Sequence, residues 1–258
     1  MDFPSHIVIT GASGAIGAAL AKIYSKQGVH LSLFGRKKSE LEAVANECRR
    51  LLATALIYIV DITKTDELQI ILNEIDAENP VDLIVVNAGI ANHLTVDCDE
   101  ESWMDTKELF DINLVGALAT VSPFITTMRK RKRGQIALMS SMLAFYGVPI
   151  APAYSASKAA LKSYGESLRG LLSREKIKVS VIFPGFVESR MTENFLGNKP
   201  FLMTADKAAK IIKSGLEKNK ARIAFPFFLT TGMRFLSIFP CFISNFILLK
   251  LGYSAIKK

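Results

Sequence analysis

The stretch HIVITGASGAIG, residues 6–17, decides the fold of this chain. Its first five residues are rich in Val and Ile, as strands are, and Gly11, Gly14 and Gly17 follow at intervals of three. Glycines let the backbone turn sharply and approach a pyrophosphate, which then lies on the N-terminal amides of the next helix. The stretch therefore predicts a strand, a phosphate-binding turn and a helix, with a plain glycine-rich turn as the alternative.

Six further apolar runs follow, and helical patterns lie between them. The runs are apolar on both faces, as strands buried in a parallel sheet are; they are HLSLFG (30–35), ALIYIVDI (55–62), DLIVVNAG (82–89), QIALMSS (135–141), KVSVIFPG (178–185) and RIAFP (222–226). Helices are predicted at residues 15–27, 39–50, 64–78, 101–131, 154–174 and 204–218. The alternation predicts a Rossmann-like α/β fold, a doubly wound sheet of seven parallel strands with helices on both faces.

Composition and cysteine usage limit the class of protein. The chain has 258 residues, 50% hydrophobic and 22% charged, as globular proteins are. We expect one domain over residues 1–226, with residues 227–258 as an apolar, basic C-terminal appendage of it. Cys48, Cys98 and Cys241 form no CxxC pair, so we expect no metal site and a reducing compartment. The N-terminus lacks a signal-peptide pattern, which favours a cytoplasmic location.

Basic residues follow the second predicted strand, where dinucleotide-binding folds usually have an acidic residue for the ribose of NAD. Gly35 stands at that position, and Arg36, Lys37 and Lys38 come next. A guanidinium suits the 2′-phosphate of NADP through paired hydrogen bonds. The pattern favours NADP(H) over NAD(H); the alternative is a solvated basic start of a helix.

Polar and small residues end the third and fourth predicted strands. Asp61 is placed to reach the adenine, and the turn Asn87-Ala88-Gly89 is placed to lie against the adenosine ribose. Ligands of such sheets bind at the carboxyl ends of the strands. Because these residues share that edge with the glycine-rich turn, we expect them to form one cofactor site.

Tyr154 and Lys158 open a predicted helix four positions apart, on one helical face. An ordinary phenol has a pKa near 10 and a nearby ammonium favours the phenolate, so we expect Lys158 to lower the pKa of Tyr154. Ser141, at the end of the fifth predicted strand, is expected to donate a hydrogen bond to a substrate oxygen. Asn113 is expected to hold a water molecule behind the lysine. A Tyr-x-x-x-Lys pair alone is also typical of a solvated helix face.

In order and spacing, these motifs resemble the short-chain dehydrogenase/reductase superfamily, in its shorter single-domain type, over residues 6–226. The matching segments are TGASGAIG, FGR, VDIT, NAG, NLVG, the serine pair with the Tyr of YSASK thirteen residues after Ser141, and PGFVESRM. The resemblance implies an NAD(P)-binding Rossmann-fold dehydrogenase whose catalytic tetrad is Asn113, Ser141, Tyr154 and Lys158.

The resemblance also implies the cofactor contacts and the residue roles. The expected cofactor-binding residues are Gly11, Ser13, Gly14, Ile16, Gly17, Arg36, Asp61, Ile62, Asn87, Ala88, Gly89, Tyr154, Lys158, Pro184, Gly185, Val187 and Ser189, the last four lining the nicotinamide. Tyr154 is the implied general acid of reduction and general base of oxidation. Ser141, rather than Ser140, polarises the carbonyl, and Lys158 holds the nicotinamide ribose and passes protons through water near Asn113.

The glycine spacing departs from that pattern. The single-domain type usually has TGxxxGxG, yet Ala15 stands where a glycine is expected. The TGxxGxxG spacing found instead resembles longer members, which include nucleotide-sugar epimerases with an added substrate domain. This chain has no room for such a domain, so an epimerase-like enzyme is the less favoured alternative.

Two apolar segments are expected to cover the substrate cleft, namely MLAFYGVPIAPA after Ser141 and FVESRMTENFLGNKPFLM after Gly185. The predicted lining is Met142, Leu143, Phe145, Tyr146, Phe186, Phe195 and Phe201. Most ligand pockets are apolar, so this lining favours a hydrophobic small-molecule carbonyl or alcohol substrate. The alternative is that some of these residues belong to the core or to a subunit contact.

The C-terminal appendage is both basic and apolar. Residues 199–258 carry 11 Lys/Arg against 2 Asp/Glu, whereas the preceding residues carry 21 against 22. That combination is more typical of a membrane surface than of nucleic acid. The longest uncharged stretch of the appendage, residues 235–249, is shorter than the roughly twenty residues that a bilayer span needs. The appendage is expected to contact a partner subunit of a homodimer or homotetramer, to lie in a membrane interface, or both.

The sequence thus predicts an NADP-dependent oxidoreductase that moves a hydride between NADP(H) and a carbonyl or alcohol substrate. A non-catalytic NADP(H)-binding protein that reports redox state to a partner is the alternative from another class, since fold alone does not decide function. The presence of Ser141, Tyr154 and Lys158 together argues against it, because a binding protein does not need an acid–base set.

Overall fold

One sheet of seven parallel strands forms the centre of the computed structural model, which describes residues 4–92, 100–193, 195, 198–251 and 253. The strand order is β3-β2-β1-β4-β5-β6-β7. The strands are β1 (His6–Thr10), β2 (His30–Gly35), β3 (Thr54–Ile59), β4 (Leu83–Val86), β5 (Gly134–Met139), β6 (Ile177–Pro184) and β7 (Arg222–Phe225). The predicted doubly wound α/β fold is confirmed.

Helices connect the strands and continue after the last one. They are α1 (Ala15–Tyr24), α2 (Lys38–Arg50), α3 (Thr65–Glu78), α4 (Trp103–Phe110), α5 (Ala117–Arg131), α6 (Pro152–Leu172), α7 (Arg190–Glu193), α8 (Ala205–Glu217), α9 (Phe227–Leu236) and α10 (Cys241–Lys250). Between α4 and α5 the residues Asp111–Gly116 form a π-helix, so the long helix predicted there is interrupted. Helix α6 begins two residues earlier than predicted because a proline occupies its first position, where no amide donor is needed.

The order in which strands are added to the sheet reverses after β3, and β4 is added on the other side of β1. Strand β1 pairs with β2 on one side and with β4 on the other, so the chain winds outward in both directions from the middle of the sheet. In folds of this type, ligands bind in the crevice outside the carboxyl ends of the strands at such a point. The glycine-rich turn lies there.

Both faces of the sheet are covered. Ile7 and Ile9 of β1 join a core with α1, α2 and α8, while Val8 joins a core with α3, α5 and α6, since successive side chains of a strand point to opposite faces. The prediction that every strand is apolar because it is buried on both faces is wrong for β3. Leu56 and Ile59 of that strand are exposed because β3 is an edge of the sheet.

The C-terminal helices α9 and α10 lie on the same fold. Their residues Met233, Leu236 and Leu248 are buried in a third apolar cluster, together with Met142 and Leu143 after β5. Among the described helical runs, 103–131 is long and apolar enough to cross a membrane by length and composition, with half of its most apolar window buried. It packs between α3 and α6 like the core helix of a soluble protein.

Candidate active site

The glycine-rich turn after β1 has no room for side chains at Gly11 and Gly17. Gly11 has a φ of +63°, and a Cβ there would lie 2.8 Å from Ala88 Cα. A Cβ on Gly17 would lie 2.9 Å from Ala12 Cα. In the part of the chain that the structure describes, no side chain caps the first turn of α1 and no acidic residue lies in it. Its amide groups are therefore suited to a pyrophosphate.

Gly14 and Ala15 mark where the helix begins. Gly14 is the N-cap of α1; its amide donates to Gly11 O at 3.0 Å and its carbonyl accepts from Ala18 N at 2.8 Å. Ala15 is the first helical residue. Gly14, found in place of the glycine expected at position 15, thus lies at the end of the turn, directly before the helix. Of the other predicted contacts here, Ser13 is partly exposed, and Ile16 packs against the core beneath α1.

The end of β4 braces this turn. Asn87 Nδ2 donates to the carbonyl oxygens of Thr10, at 3.1 Å, and Gly11, at 3.0 Å. Thr10 Oγ1 in return accepts from the amides of Asn87, at 3.0 Å, and Ala88, at 3.2 Å. The side chain that sequence reasoning placed against a ribose therefore holds the shape of the turn. Thr10 was not singled out, because only the tertiary contact between β1 and β4 reveals its part.

Arg36 is exposed in the loop between β2 and α2, beside the edge at which Asp61 lies. The Asp61 carboxylate accepts from Thr63 N at 3.0 Å and from Thr63 Oγ1 at 2.9 Å. The Thr63 hydrogen bonds lower the pKa of Asp61, and the nearby charge of Arg36 lowers it further. The structure thus brings Arg36 and Asp61 to one edge. Ile62 is buried, and its carbonyl would lie 2.9 Å from a Cβ on Gly116, so its side chain belongs to the core.

Tyr154 and Lys158 lie in the first two turns of α6, as predicted, beside the carboxyl end of β5. Lys158 is 4% exposed, and its Nζ donates to Met139 O at 3.1 Å. The same nitrogen lies 5.6 Å from the centre of the Tyr154 ring. Ser141 forms a hydrogen bond with the Tyr154 side chain, and its Oγ accepts from Leu143 N at 3.2 Å. The structure therefore brings Ser141, Tyr154 and Lys158 together.

Burial shifts the pKa values of this pair. Burial raises the pKa of Tyr154, and the hydrogen bond with Ser141 offsets part of that rise. Burial lowers the pKa of Lys158 to about 8. Both shifts favour the neutral forms, because a low-dielectric surrounding penalises charge. The pKa of Tyr154 is thus raised on balance, whereas the sequence pattern predicted that Lys158 lowers it.

Asn113 lies in the π-helix and is fully buried. Its Oδ1 accepts from Ile90 N and its Nδ2 donates to Ile90 O, each at 2.8 Å. Nδ2 also lies 3.3 Å from Ser157 Oγ of α6. A Cβ on Gly89 would lie 2.9 Å from Asn113 Oδ1 and 3.3 Å from Lys158 Nζ. Gly89, Asn113 and Lys158 therefore meet at one point behind the tyrosine.

Two residues hold α6 in place without facing the cleft. Ser140 Oγ donates to Lys158 O at 2.8 Å, below the helix. The Glu101 carboxylate accepts from Ala153 N at 2.9 Å and so caps the first turn of α6. Burial raises the pKa of Glu101. Sequence reasoning missed Glu101, because the two contacting residues are 52 positions apart and no local pattern links them.

The segment after β6 lies next to Ser141, because β5 and β6 are neighbours. Pro184 ends β6, and a Cβ on Gly185 would lie 2.8 Å from Pro226 Cδ. Val187 is 4% exposed and pairs with Met203, while Ser189 Oγ donates to Val187 O at 3.2 Å. The segment predicted to line the nicotinamide thus lies at the correct edge of the sheet, with the Val187 side chain in the core.

An apolar wall borders Tyr154. Six of the seven predicted lining residues belong to it, namely Met142, Leu143, Phe145, Tyr146, Phe186 and Phe195. The seventh, Phe201, is 59% exposed and does not join this cluster, so its place in the lining stays a prediction. The wall also contains Met233, Leu236, Leu248 and Tyr253 from the C-terminal segment, which sequence reasoning had placed at a subunit or membrane contact. The Tyr253 hydroxyl is buried without a hydrogen-bond partner among the described residues.

Comparison with known proteins agrees with this geometry. The sequence profile of the short chain dehydrogenase family matches residues 5–199. An uncharacterized oxidoreductase of Myxococcus xanthus is 34% identical over 234 residues, which cover 90% of this chain and 92% of that protein. The 11-beta-hydroxysteroid dehydrogenase-like protein 2 of Arabidopsis thaliana is 32% identical, over 85% of this chain and 73% of that protein.

A solved structure shares the fold. The short-chain dehydrogenase of Sphingobium yanoikuyae, in complex with NADPH, has a TM-score of 0.77 at 22% identity. The superposition covers 86% of this chain and 88% of the other. The fold described above is thus similar to that of a solved dehydrogenase.

Proposed function

The chain belongs to the short-chain dehydrogenase/reductase family, and on that premise we propose that it moves a hydride between NADP(H) and the carbonyl or alcohol group of an apolar small molecule. Members of this family are oxidoreductases that bind NAD(P)(H). One observation carries the proposal: the Tyr154 phenol, hydrogen-bonded to Ser141, lies above a buried Lys158 at the carboxyl edge of the sheet.

Tyr154 is the acid of the proposed reduction. It gives its phenolic proton to the substrate oxygen, which Ser141 holds through a second hydrogen bond. An ordinary phenol keeps its proton at neutral pH, and burial raises the pKa of Tyr154 further, so this group enters the reduction in its protonated form. In the oxidation the same oxygen, as phenolate, takes the proton of the alcohol. The nicotinamide, when bound, supplies or accepts the hydride.

Lys158 and Asn113 support the proton transfer. Lys158 Nζ lies behind the tyrosine, where it would hold ribose hydroxyls and return a proton to Tyr154 O. The pKa of about 8 for Lys158 allows it to gain and lose a proton near neutral pH. Both polar atoms of the Asn113 side chain form hydrogen bonds with the backbone of Ile90. Asn113 would therefore fix the position of the backbone next to Lys158.

The chemistry of the cofactor-side residues favours NADP(H). An exposed guanidinium at Arg36 and a glycine at position 35, in place of a carboxylate, suit a 2′-phosphate. The tight turn at Gly11 and Gly17, with free amides at the start of α1, suits the pyrophosphate. The NADPH complex of the Sphingobium yanoikuyae enzyme, which has the same fold, is consistent with this choice.

The apolar wall sets the proposed substrate class. Side chains from three parts of the chain form it, and Tyr154 packs against them. A carbonyl or alcohol on a bulky apolar body fits such a wall, since apolar lining with few polar groups is typical of ligand sites. The similarity to an 11-beta-hydroxysteroid dehydrogenase-like protein is consistent with this class.

The test is NADPH-dependent reduction of a panel of apolar ketones and aldehydes by the wild type and by Tyr154→Phe. The variant should lose turnover by at least about 100-fold, as expected for loss of a general acid, while it binds NADPH as the wild type does. Tyr164→Phe, which removes a phenol from the same helix but outside the apolar wall, is the matched control and should retain turnover. Turnover that survives in Tyr154→Phe would remove Tyr154 from the mechanism.

A further inference from the structure

The two C-terminal helices expose an apolar face that the described part of the fold leaves uncovered. Their inner residues, such as Met233, Leu236 and Leu248, are buried in the apolar wall. Their outer residues are large and apolar, and we call them the outer face: Phe228, Phe235, Ile238, Phe242, Phe246 and Leu249, each between 47% and 77% exposed. A surface helix normally has one apolar stripe and one polar face, so this second apolar stripe indicates a contact surface.

Each helix contributes one side to the outer face. Phe228 and Phe235 are seven residues apart on α9, and Phe242, Phe246 and Leu249 follow the spacing i, i+4 and i+7 on α10, so each set lies on one side of its helix. Ser244 Oγ donates to Leu236 O at 2.7 Å and is fully buried. That hydrogen bond joins the two helices on their buried sides.

Basic residues accompany the outer face. Residues 227–251 carry no Asp or Glu; their basic residues are Lys250 and Arg234, whose guanidinium carbon lies 5.2 Å from the centre of the Phe145 ring. Lys250 is exposed, and its Nζ lies 4.6 Å from the centre of the Phe246 ring. Aromatic side chains next to basic ones are typical of helices that lie in the headgroup region of a bilayer. The positive charge complements anionic lipids.

We propose that the outer face of α9 and α10 docks the protein onto an anionic lipid bilayer. Each helix has ten residues, far fewer than the roughly twenty that a membrane span needs. The helices therefore lie in the plane of the interface, with the phenylalanines among the upper acyl chains and the basic side chains on the headgroup phosphates.

A second copy of the chain fits this surface less well. In a two-fold symmetric dimer the same patch of both subunits meets. Such a contact would bring together two apolar segments whose only charged residues are basic. Like charges across an interface oppose association. An anionic membrane meets the same segments with the opposite charge.

The docking does not depend on the proposed reaction, so its test needs no substrate.

The test is co-sedimentation of the full chain with phosphatidylcholine vesicles, with and without phosphatidylserine. We expect binding to the vesicles that contain phosphatidylserine and weaker binding at high salt, because salt screens the headgroup charge. The variant Phe228→Ser/Phe242→Ser should partition at least about tenfold less, which corresponds to about 1.4 kcal/mol. The control is Ile70→Ser/Leu171→Ser, which changes two equally apolar residues on α3 and α6 that are 60% and 62% exposed.

The control should bind vesicles as the wild type does, and all three proteins should have the same mass by analytical ultracentrifugation. The proposal is wrong if the wild type does not sediment with the anionic vesicles or if the Phe228/Phe242 variant sediments as well as the wild type. A variant that changes only the subunit number would identify the outer face as an interface between copies instead.

A second variant covers the case in which the serine substitutions prevent folding. Phe242→Trp in a Trp103→Phe background keeps the face apolar and leaves one tryptophan, since Trp103 is the only tryptophan of the chain. Its emission should shift to shorter wavelength when vesicles that contain phosphatidylserine are added. Emission that stays unchanged at saturating lipid would contradict the proposal.

Discussion

At the residue scale, burial determines the protonation of the two ionisable groups on α6. Lys158 is almost without solvent contact, and its ammonium meets a single carbonyl, that of Met139, within hydrogen-bond distance among the described residues. One carbonyl does not replace the hydration of a cation, so the neutral amine is favoured. The site therefore keeps a lysine that gains and loses its proton near neutral pH, at a cost in stability.

Because of this cost, the free energy of unfolding depends on pH. The pKa of Lys158 falls from 10.5 to about 8 on folding, so the unfolded chain binds more protons between these values. The free energy of unfolding due to this group therefore rises with pH from about 8 to about 10.5, by roughly 3 kcal/mol. Lys158→Met keeps the apolar stem and removes the titration.

Chemical unfolding of both proteins at about pH 7.5 and about pH 10 measures the effect. The stability of Lys158→Met relative to the wild type should be larger at the lower pH, and the difference should shrink at the higher one. Other titrating groups are common to both proteins and cancel. A difference that does not change with pH would show that Lys158 is solvated in the folded protein.

Arg36 makes the cofactor choice testable with one substitution. Arg36→Asp replaces a guanidinium that suits a 2′-phosphate by a carboxylate that suits ribose hydroxyls. The ratio of the Kd for NADH to that for NADPH should fall at least about tenfold, or 1.4 kcal/mol. Fluorescence titration of the purified protein measures both constants.

Lys38→Asp is the control, since Lys38 is equally exposed and lies two residues away. It should weaken both cofactors by similar factors and leave their ratio near that of the wild type. Equal use of NADH and NADPH before and after Arg36→Asp would remove Arg36 from the specificity of the site.

At the element scale, the first turn of α6 depends on a distant carboxylate. Ala151 is the N-cap of this helix, and its side chain offers no acceptor to the first amides. Glu101 supplies one by accepting from Ala153 N. Because Tyr154 follows Ala153, this cap fixes the position of the phenol as well as the end of the helix.

Glu101→Ala should therefore cost about 1 kcal/mol of stability, as the loss of a helix cap does, and lower kcat with little change in KM. Glu101→Gln keeps an oxygen acceptor and should restore most of both quantities. Unfolding curves and steady-state kinetics measure them, with Glu108→Ala, an exposed acid on α4, as the control. A kcat for Glu101→Ala that equals the wild-type value would show that Glu101 acts on stability alone.

Elements with strong local signals could be predicted from the sequence. β1 and β2 have the predicted bounds, because each apolar run ends at a glycine or just before one. The π-helical break at Asp111–Gly116 was not predicted from the local pattern; within it Asn113 bonds Ile90, which lies 23 positions away in the sequence. The sequence pattern also treated β3 as a central strand, because an edge strand and a central one can have equally apolar residues.

At the scale of the whole molecule, the site joins distant parts of the chain. The positions of Tyr154, Lys158 and Ser141 at one edge follow from strand order, so the motifs predicted them. Thr10 braces the glycine-rich turn, Glu101 caps α6, and α9 and α10 pack against the apolar wall. These are tertiary contacts that no local sequence pattern indicates. The homodimer or homotetramer that the family resemblance implies stays a prediction, which analytical ultracentrifugation tests.

Hydride transfer is the central claim, and an isotope label tests it most directly. The wild type is given NADPH that carries deuterium at the reactive C4 position, together with an apolar ketone, and the product is read by mass spectrometry. We predict that the alcohol carries a single deuterium on its carbinol carbon, and that Tyr154→Phe gives no product. Tight NADPH binding without any labelled alcohol, across the whole panel of carbonyl compounds, would contradict the account and identify the protein as a cofactor-binding module.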